Sequence, residues 1–169
     1  MIYIVRHQEG SPFTNCLSQA GIVKCYDIAK TFSKLVDLVV YTCPPSKNGR
    51  KHVRPLQTAS IVCTALTRHP TSVRIVSECD LNQKFQGKTN HLFVWHHEGI
   101  KPLMDFLCPQ NDFEQWDPGD YNGCLVIDHP QNNTEPPNWY FEPDYRRLFK
   151  KKFNFFKNSF YKLMCSLSF

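Results

Sequence analysis

At 169 residues, 41% hydrophobic and 14% aromatic, the chain is long enough for one domain with a sizeable core and too short for two comfortable ones. It contains no run of roughly 18 apolar residues, and its N-terminus lacks the basic start, long apolar stretch and small-residue cleavage site of a secretory signal, so a soluble, cytoplasmic protein is expected. The net charge of +5 is uneven: residues 146–169 hold seven of the 20 basic groups and no acid, which leaves the rest of the chain near −2.

The first element is short, apolar and β-branched: Ile2-Tyr3-Ile4-Val5 reads as a buried strand that ends abruptly in Arg6-His7. Leu17 to Leu35 reads as a helix with Ser18 as its N-cap and an apolar stripe through Val23, Tyr26, Ala29 or Lys30, and Ser33, widened by Ile22, Ile28, Phe32 and Leu35. A second strand, Val36 to Tyr41, is closed by Thr42-Cys43-Pro44-Pro45. A second helix runs from Pro55 to Leu66, with proline in the first turn, where its missing N–H costs nothing. Val73 to Val76 is a short strand, Gly87-Lys88 a turn, and Leu92-Phe93-Val94-Trp95 a fully apolar strand. Ile100 to Leu107 is a short helix despite Pro102, and Cys124 to Ile127 a last strand. Residues 129–144, rich in Pro, Asn and Glu, read as a loop. Alternating strands and helices with right-handed crossovers imply an α/β three-layer sandwich around a mostly parallel sheet. Residues 1–145 would form the domain, and residues 146–169 a basic, aromatic tail or terminal helix.

Three strand ends or strand-following loops carry polar groups. The first supplies Arg6 and His7, the second leads into Arg54 at a helix start, and the fourth ends in His96-His97-Glu98. In a parallel sheet these ends share one edge, where ligands of open α/β sheets bind. Two arginines and two histidines suit a phosphate group. Guanidinium forks match its oxygens, and a neutral imidazole can attack phosphorus and carry the phosphoryl group covalently. A metal reading of His91, His96, His97 and Glu98 is disfavoured, because His-His-Glu lacks the spacing of a helical zinc motif. The eight cysteines show no Cys-x-x-Cys pair and read as free thiols, several packed as small hydrophobes.

Taken together, Ile2-Tyr3-Ile4-Val5-Arg6-His7-Gln8-Glu9, Leu17-Ser18-Gln19-Ala20-Gly21, Tyr41-Thr42-Cys43-Pro44-Pro45 with Arg54-Pro55-Leu56-Gln57-Thr58-Ala59, Val94-Trp95-His96-His97-Glu98-Gly99-Ile100, and Trp116-Asp117-Pro118-Gly119-Asp120-Tyr121 with Leu125-Val126-Ile127-Asp128 occur in the order of a known set. They resemble the histidine phosphatase superfamily, the phosphoglycerate-mutase-like fold, in its compact branch. The resemblance implies a phosphomonoesterase that needs no metal or cofactor and works through phosphohistidine. His7 would be the nucleophile, Arg6 and Arg54 the phosphate clamp, and His97 the second histidine. His97 is preferred to His96 by register with a Trp-Glu-His triplet; an early chain turn would reverse that choice.

Two departures stand out. The family's glycine after the histidine is Gln8, which would crowd the pocket or add a phosphate donor, or else leave a weak or inactive module that binds a phosphorylated ligand or protein. The proton donor is not identified: Gln83 occupies the place of the mutases' acid, and Glu78, Glu9 and Glu98 are the nearby carboxyl candidates. His52, His69 and His129 read as surface or loop residues. The substrate would be a phosphorylated small molecule or a phosphoprotein. In the tail, Phe149, Phe153, Phe156 and Phe160 share one side of a helix, which either packs on the domain with its lysines solvated or meets an anionic partner or membrane surface.

Overall fold

A computed structural model describes residues 1–45, 53–66, 73–76, 89–128 and 137–149. The strands are β1 (Ile2–Arg6), β2 (Leu38–Thr42), β3 (Val73–Ile75), β4 (Asn90–Trp95), β5 (Cys124–Asp128) and β6 (Asn138–Glu142). The helices are α1 (Gln19–Phe32), α2 (Val53–Ala65) and α3 (His97–Leu107), and a 3-10 turn follows at Tyr145–Arg147. The sheet order is β3-β2-β4-β1-β5-β6. The first four strands are mutually parallel, whereas β5 runs antiparallel to β1 and β6 antiparallel to β5. The fold is thus α/β, with a mixed sheet that is parallel at its centre.

Period-two alternation along β1 separates two cores. Tyr3 and Val5 face one side with Cys25, Ile28 and Phe32 of α1 and Ala59 and Val62 of α2. Ile2 and Ile4 face the other side with Ile100, Leu103, Met104 and Leu107 of α3, together with Trp95 and Trp116. Three layers result, with both faces of β1 and β4 covered, which is why those strands are apolar throughout.

Several boundaries differ from the sequence reading, each for a physical reason. Ser18 caps α1 by accepting from Gly21 N at 3.0 Å, as expected, and Ala29 is buried as expected, but the rest of the buried stripe runs through Gly21, Cys25, Ile28 and Phe32. Val23 and Tyr26 face outward at 55% and 57% exposure, because the residues four apart that meet the sheet start one position earlier in the helical turn. β2 begins at Leu38 rather than Val36, since Asp37 has φ 54° and cannot lie in a strand. α3 begins at His97, three residues before the expected start, because the His96 side chain accepts from Gly99 N at 3.1 Å and caps the helix. The region expected as the loop 129–144 contains β6, an edge strand with mostly exposed side chains that shows little alternation to a sequence reader. Beyond it, Leu148 is buried and Phe149 packs on Tyr3 and Phe32, with ring centroids 6.2 and 6.1 Å away. The tail from residue 150, the turn at Gly87-Lys88, and His52, His69 and His129 lie outside the described residues.

Candidate active site

The parallel register of β1 and β4 pairs Arg6 with Trp95, so the two chains leave the sheet edge side by side. His7 N donates to Trp95 O at 2.8 Å, which holds the next residues of both strands together. On the other side, the antiparallel pairing of Val5 with Cys124 brings the segment before β5 to the same edge. Helix α2 closes the site from the first core's side: Gln8 N donates to Thr58 Oγ1 at 3.1 Å, and Arg54 lies one turn earlier on the same helix face.

His7 is nearly enclosed, at 6% exposure. Its Nδ1 lies 2.8 Å from the carbonyl oxygen of Gln8. A carbonyl only accepts, so Nδ1 carries the proton and the lone pair of the neutral ring resides on Nε2. Burial, aided by the charges of Arg6 and Arg54 and by His97, lowers the His7 pKa to about 4, against an opposing bond to Gln8 O. The imidazole is therefore neutral near pH 7. The His97 pKa is also lowered, by burial and then by Arg6, with Glu98 acting the other way. Each of these four side chains thus lies within electrostatic reach of another.

The two arginines are held differently. Arg6 is buried; its Nη1 donates to Pro118 O, its Nη2 donates to Tyr121 Oη at 3.2 Å, and its Cζ lies 4.0 Å from the centre of the Tyr121 ring. Each terminal nitrogen keeps one further hydrogen, and Nε has no partner among the described residues. Arg54 is half-buried, and among the described residues its bonds are long, Nη2 to Ser11 O at 3.5 Å and to Thr14 O at 3.4 Å. Its guanidinium lies flat against Gly10, where any Cβ would collide with it.

The candidate residues fare unequally. Arg6, His7, Arg54 and His97 come together. His96 is committed to its cap and stacks on Trp95, at 6.3 Å between ring centres. Only Gly at position 99 leaves room for that ring. Glu98 is exposed in the first turn of α3 and Glu9 is exposed after β1. Glu78, the proton-donor candidate, and Gln83 lie outside the described residues. Gln8 spends its amide hydrogens inside the protein. It is fully buried, and its amide nitrogen donates to Arg6 O at 3.3 Å and to Tyr121 O at 3.2 Å. Among the described residues no three His, Cys, Asp or Glu side chains are grouped so as to hold a metal ion, and no helix is long and apolar enough to cross a membrane.

Two neighbours were not anticipated as site residues. Tyr121 supports Arg6 and meets the His7 ring edge-on, at 6.4 Å between centres, and Lys24 of α1 places its Nζ 5.7 Å from the Tyr121 ring centre. The Trp116-to-Tyr121 motif was visible, but a parallel last strand would have placed it at the opposite edge.

No protein-family model matches the chain, and no curated protein matches it. Solved structures do. A phosphoglycerate mutase from Bacillus anthracis str. Sterne superposes with a TM-score of 0.55 at 10% identity, covering 89% of this chain and 96% of its own. Mycobacterial hydrolase 1 gives 0.51 at 13% identity, covering 83% of this chain and 96% of its own. A mycobacterial glucosyl-3-phosphoglycerate phosphatase in complex with VO3 gives 0.51 at 12% identity, with the same 83% and 96% coverage. The chain therefore has a phosphoglycerate-mutase-like fold.

Proposed function

We propose that the protein is a metal-independent phosphatase that hydrolyses a phosphomonoester through a phosphohistidine on His7. The observation that carries this reading is the bond from His7 Nδ1 to Gln8 O. It fixes one tautomer and leaves the Nε2 lone pair on a ring kept neutral by burial and two cations. Nε2 attacks phosphorus, the bond to the substrate oxygen breaks, and that oxygen takes a proton from water or a nearby acid. Water then attacks the phosphoramidate, releases inorganic phosphate and regenerates His7. Arg6 and Arg54 hold the equatorial oxygens as charge spreads over them, and His97, at the N-terminus of α3, donates to a third. The substrate is a phosphorylated small molecule or phosphoprotein.

The test is hydrolysis of an activated aryl phosphate, with a chelator present, from about pH 4 to about pH 8. Such a substrate has a good leaving group, so the unidentified acid does not limit it. Activity in the wild type that survives chelation and disappears in His7→Ala supports the reading. Equal rates in the two proteins overturn it in favour of a module that binds a phosphorylated ligand without turnover.

A further inference from the structure

The glutamine that stands where the family has glycine is the least expected residue of the site, and its surroundings give it a task. Its amide has two hydrogens, and both are placed on backbone oxygens: Arg6 O at 3.3 Å and Tyr121 O at 3.2 Å. The opposite amide orientation would set Oε1 against two carbonyls, so this one is dictated by chemistry. Oε1 itself has no partner among the described residues. A fully buried amide that leaves one acceptor unsatisfied persists where its donors do something that an apolar side chain cannot.

What the donors hold is the segment that carries Arg6's support. Within that segment, Asp117 Oδ1 accepts from Gly119 N at 2.7 Å, and Asp120 Oδ1 accepts from Asn122 N and Gly123 N at 2.7 and 2.9 Å. Trp116 Nε1, fixed in the second core, donates to Asp120 O at 2.9 Å. The loop is thus hydrogen-bonded within itself. Among the described residues, its side-chain hydrogen bonds to the end of β1 are those of Gln8 and Arg6. Tyr121 then contributes three contacts to the pocket: its hydroxyl to Arg6 Nη2, its ring beneath Arg6 Cζ, and its ring edge to His7.

We infer that Gln8 and Tyr121 act as one positioning unit: the Gln8 amide ties the 116–121 loop to the end of β1, so that Tyr121 holds the Arg6 guanidinium in the orientation that receives phosphate. The inference rests on the reading of the pocket as a phosphate site. Neither residue is catalytic; both act through Arg6. Replacing the glycine is then a gain of support for the clamp, where the sequence alone left crowding, an added phosphate donor or a weakened module open.

The test uses Gln8→Met, which keeps the volume and removes the donors, with Tyr121→Leu, Tyr121→Phe and the Gln8→Met/Tyr121→Leu pair. Two readouts are taken on the full chain. The first is the Arg6 Nε–H proton resonance, expected upfield in the wild type because the guanidinium lies over the Tyr121 ring. The second is the affinity for inorganic phosphate, with Arg6→Ala as reference. Gln8→Met and Tyr121→Leu should each move the resonance toward that of a free arginine and weaken phosphate by about tenfold, as expected for a misaligned charge-assisted pair. Tyr121→Phe should keep much of both, and the double variant should be no worse than the weaker single. An unchanged Arg6 resonance in Gln8→Met, or losses that multiply in the double variant, overturns the inference. If Gln8→Met does not fold, an unchanged resonance in Tyr121→Leu overturns it equally. A wild type that binds phosphate no better than Arg6→Ala overturns the phosphate reading instead, and the resonance still decides whether the strut exists.

Discussion

The two arginines of the pocket sit in contrasting surroundings. Arg6 ends a central strand, is buried, and is gripped by Pro118 O and by the hydroxyl and ring of Tyr121. Arg54 projects from the second position of α2 toward the 10–17 loop and reaches two loop carbonyls only at 3.4 and 3.5 Å. That loop is pinned at its base by the Gly10–Leu17 bridge and exposes Phe13 at 93%. Behind it lies an apolar groove of about 410 Å³ lined by Leu17, Ile22, Leu56 and Ile61. A buried cation braced at both terminal nitrogens loses little freedom when an anion arrives and acts in a medium of low dielectric. A half-exposed cation with long bonds can turn toward a ligand. On the reading proposed above, Arg6 would orient the phosphate and Arg54 would adjust to it.

The largest expected effect tests that asymmetry directly. Arg6→Lys should lower kcat/KM on the order of 10²–10³-fold, because a point charge cannot replace a braced fork. Arg54→Lys should cost about tenfold, since its charge survives and its fork is not locked. Equal losses would erase the contrast. Next in size, His97→Ala should reduce the rate by roughly 10²-fold with little change in stability, whereas His96→Ala should cost about 1 kcal/mol of stability through the lost cap and affect the rate less. The reverse pattern would exchange the roles of the two histidines.

Acidity probes His7 on the buried side. The folded pKa of His7 lies near 4, below the ordinary 6.5, so between these values the unfolded chain binds a proton that native His7 does not. The corresponding stability is fully present above about pH 6.5 and is lost as the pH falls through about 4, by about 3 kcal/mol in all. Urea midpoints should show this slope in the wild type and a flatter one in His7→Gln. The kcat/KM of the free enzyme should rise through the same low pH as the ring loses its proton. The smallest effect belongs to the open side. Gly10→Ala should push the Arg54 guanidinium off its seat and raise KM by roughly threefold to tenfold, leaving kcat nearly unchanged.

Much of the braced side was legible because it is built from continuous strands. Ile2 to Val5 and Leu92 to Trp95 are apolar at every position, which marks strands covered on both faces, and their polar ends then had to share an edge. Ser18 announced α1, and Pro55 the first turn of α2. Tyr121 was not legible as a site residue, because its place depends on the direction of β5. An antiparallel β5 brings its N-terminal loop, not its C-terminal end, to the pocket, and Cys124 to Asp128 reads the same in either direction. The burial of Gln8 was likewise hidden, since its partners are backbone oxygens that no side-chain pattern encodes. The cap at His96 escaped for a related reason: histidine is an unusual N-cap, and Gly99 makes room for it only in three dimensions.

The central claim, that His7 Nε2 takes the phosphoryl group, is tested most directly by quenching turnover of an aryl phosphate in alkali and mapping the phosphorylated residue. The account predicts an acid-labile, alkali-stable phosphoryl group on Nε2 of His7, absent from His7→Ala and more abundant in His97→Ala if that change slows hydrolysis of the intermediate more than its formation. Steady turnover that requires His7 but leaves no phosphoryl group on it, or places one on another residue, would contradict the account.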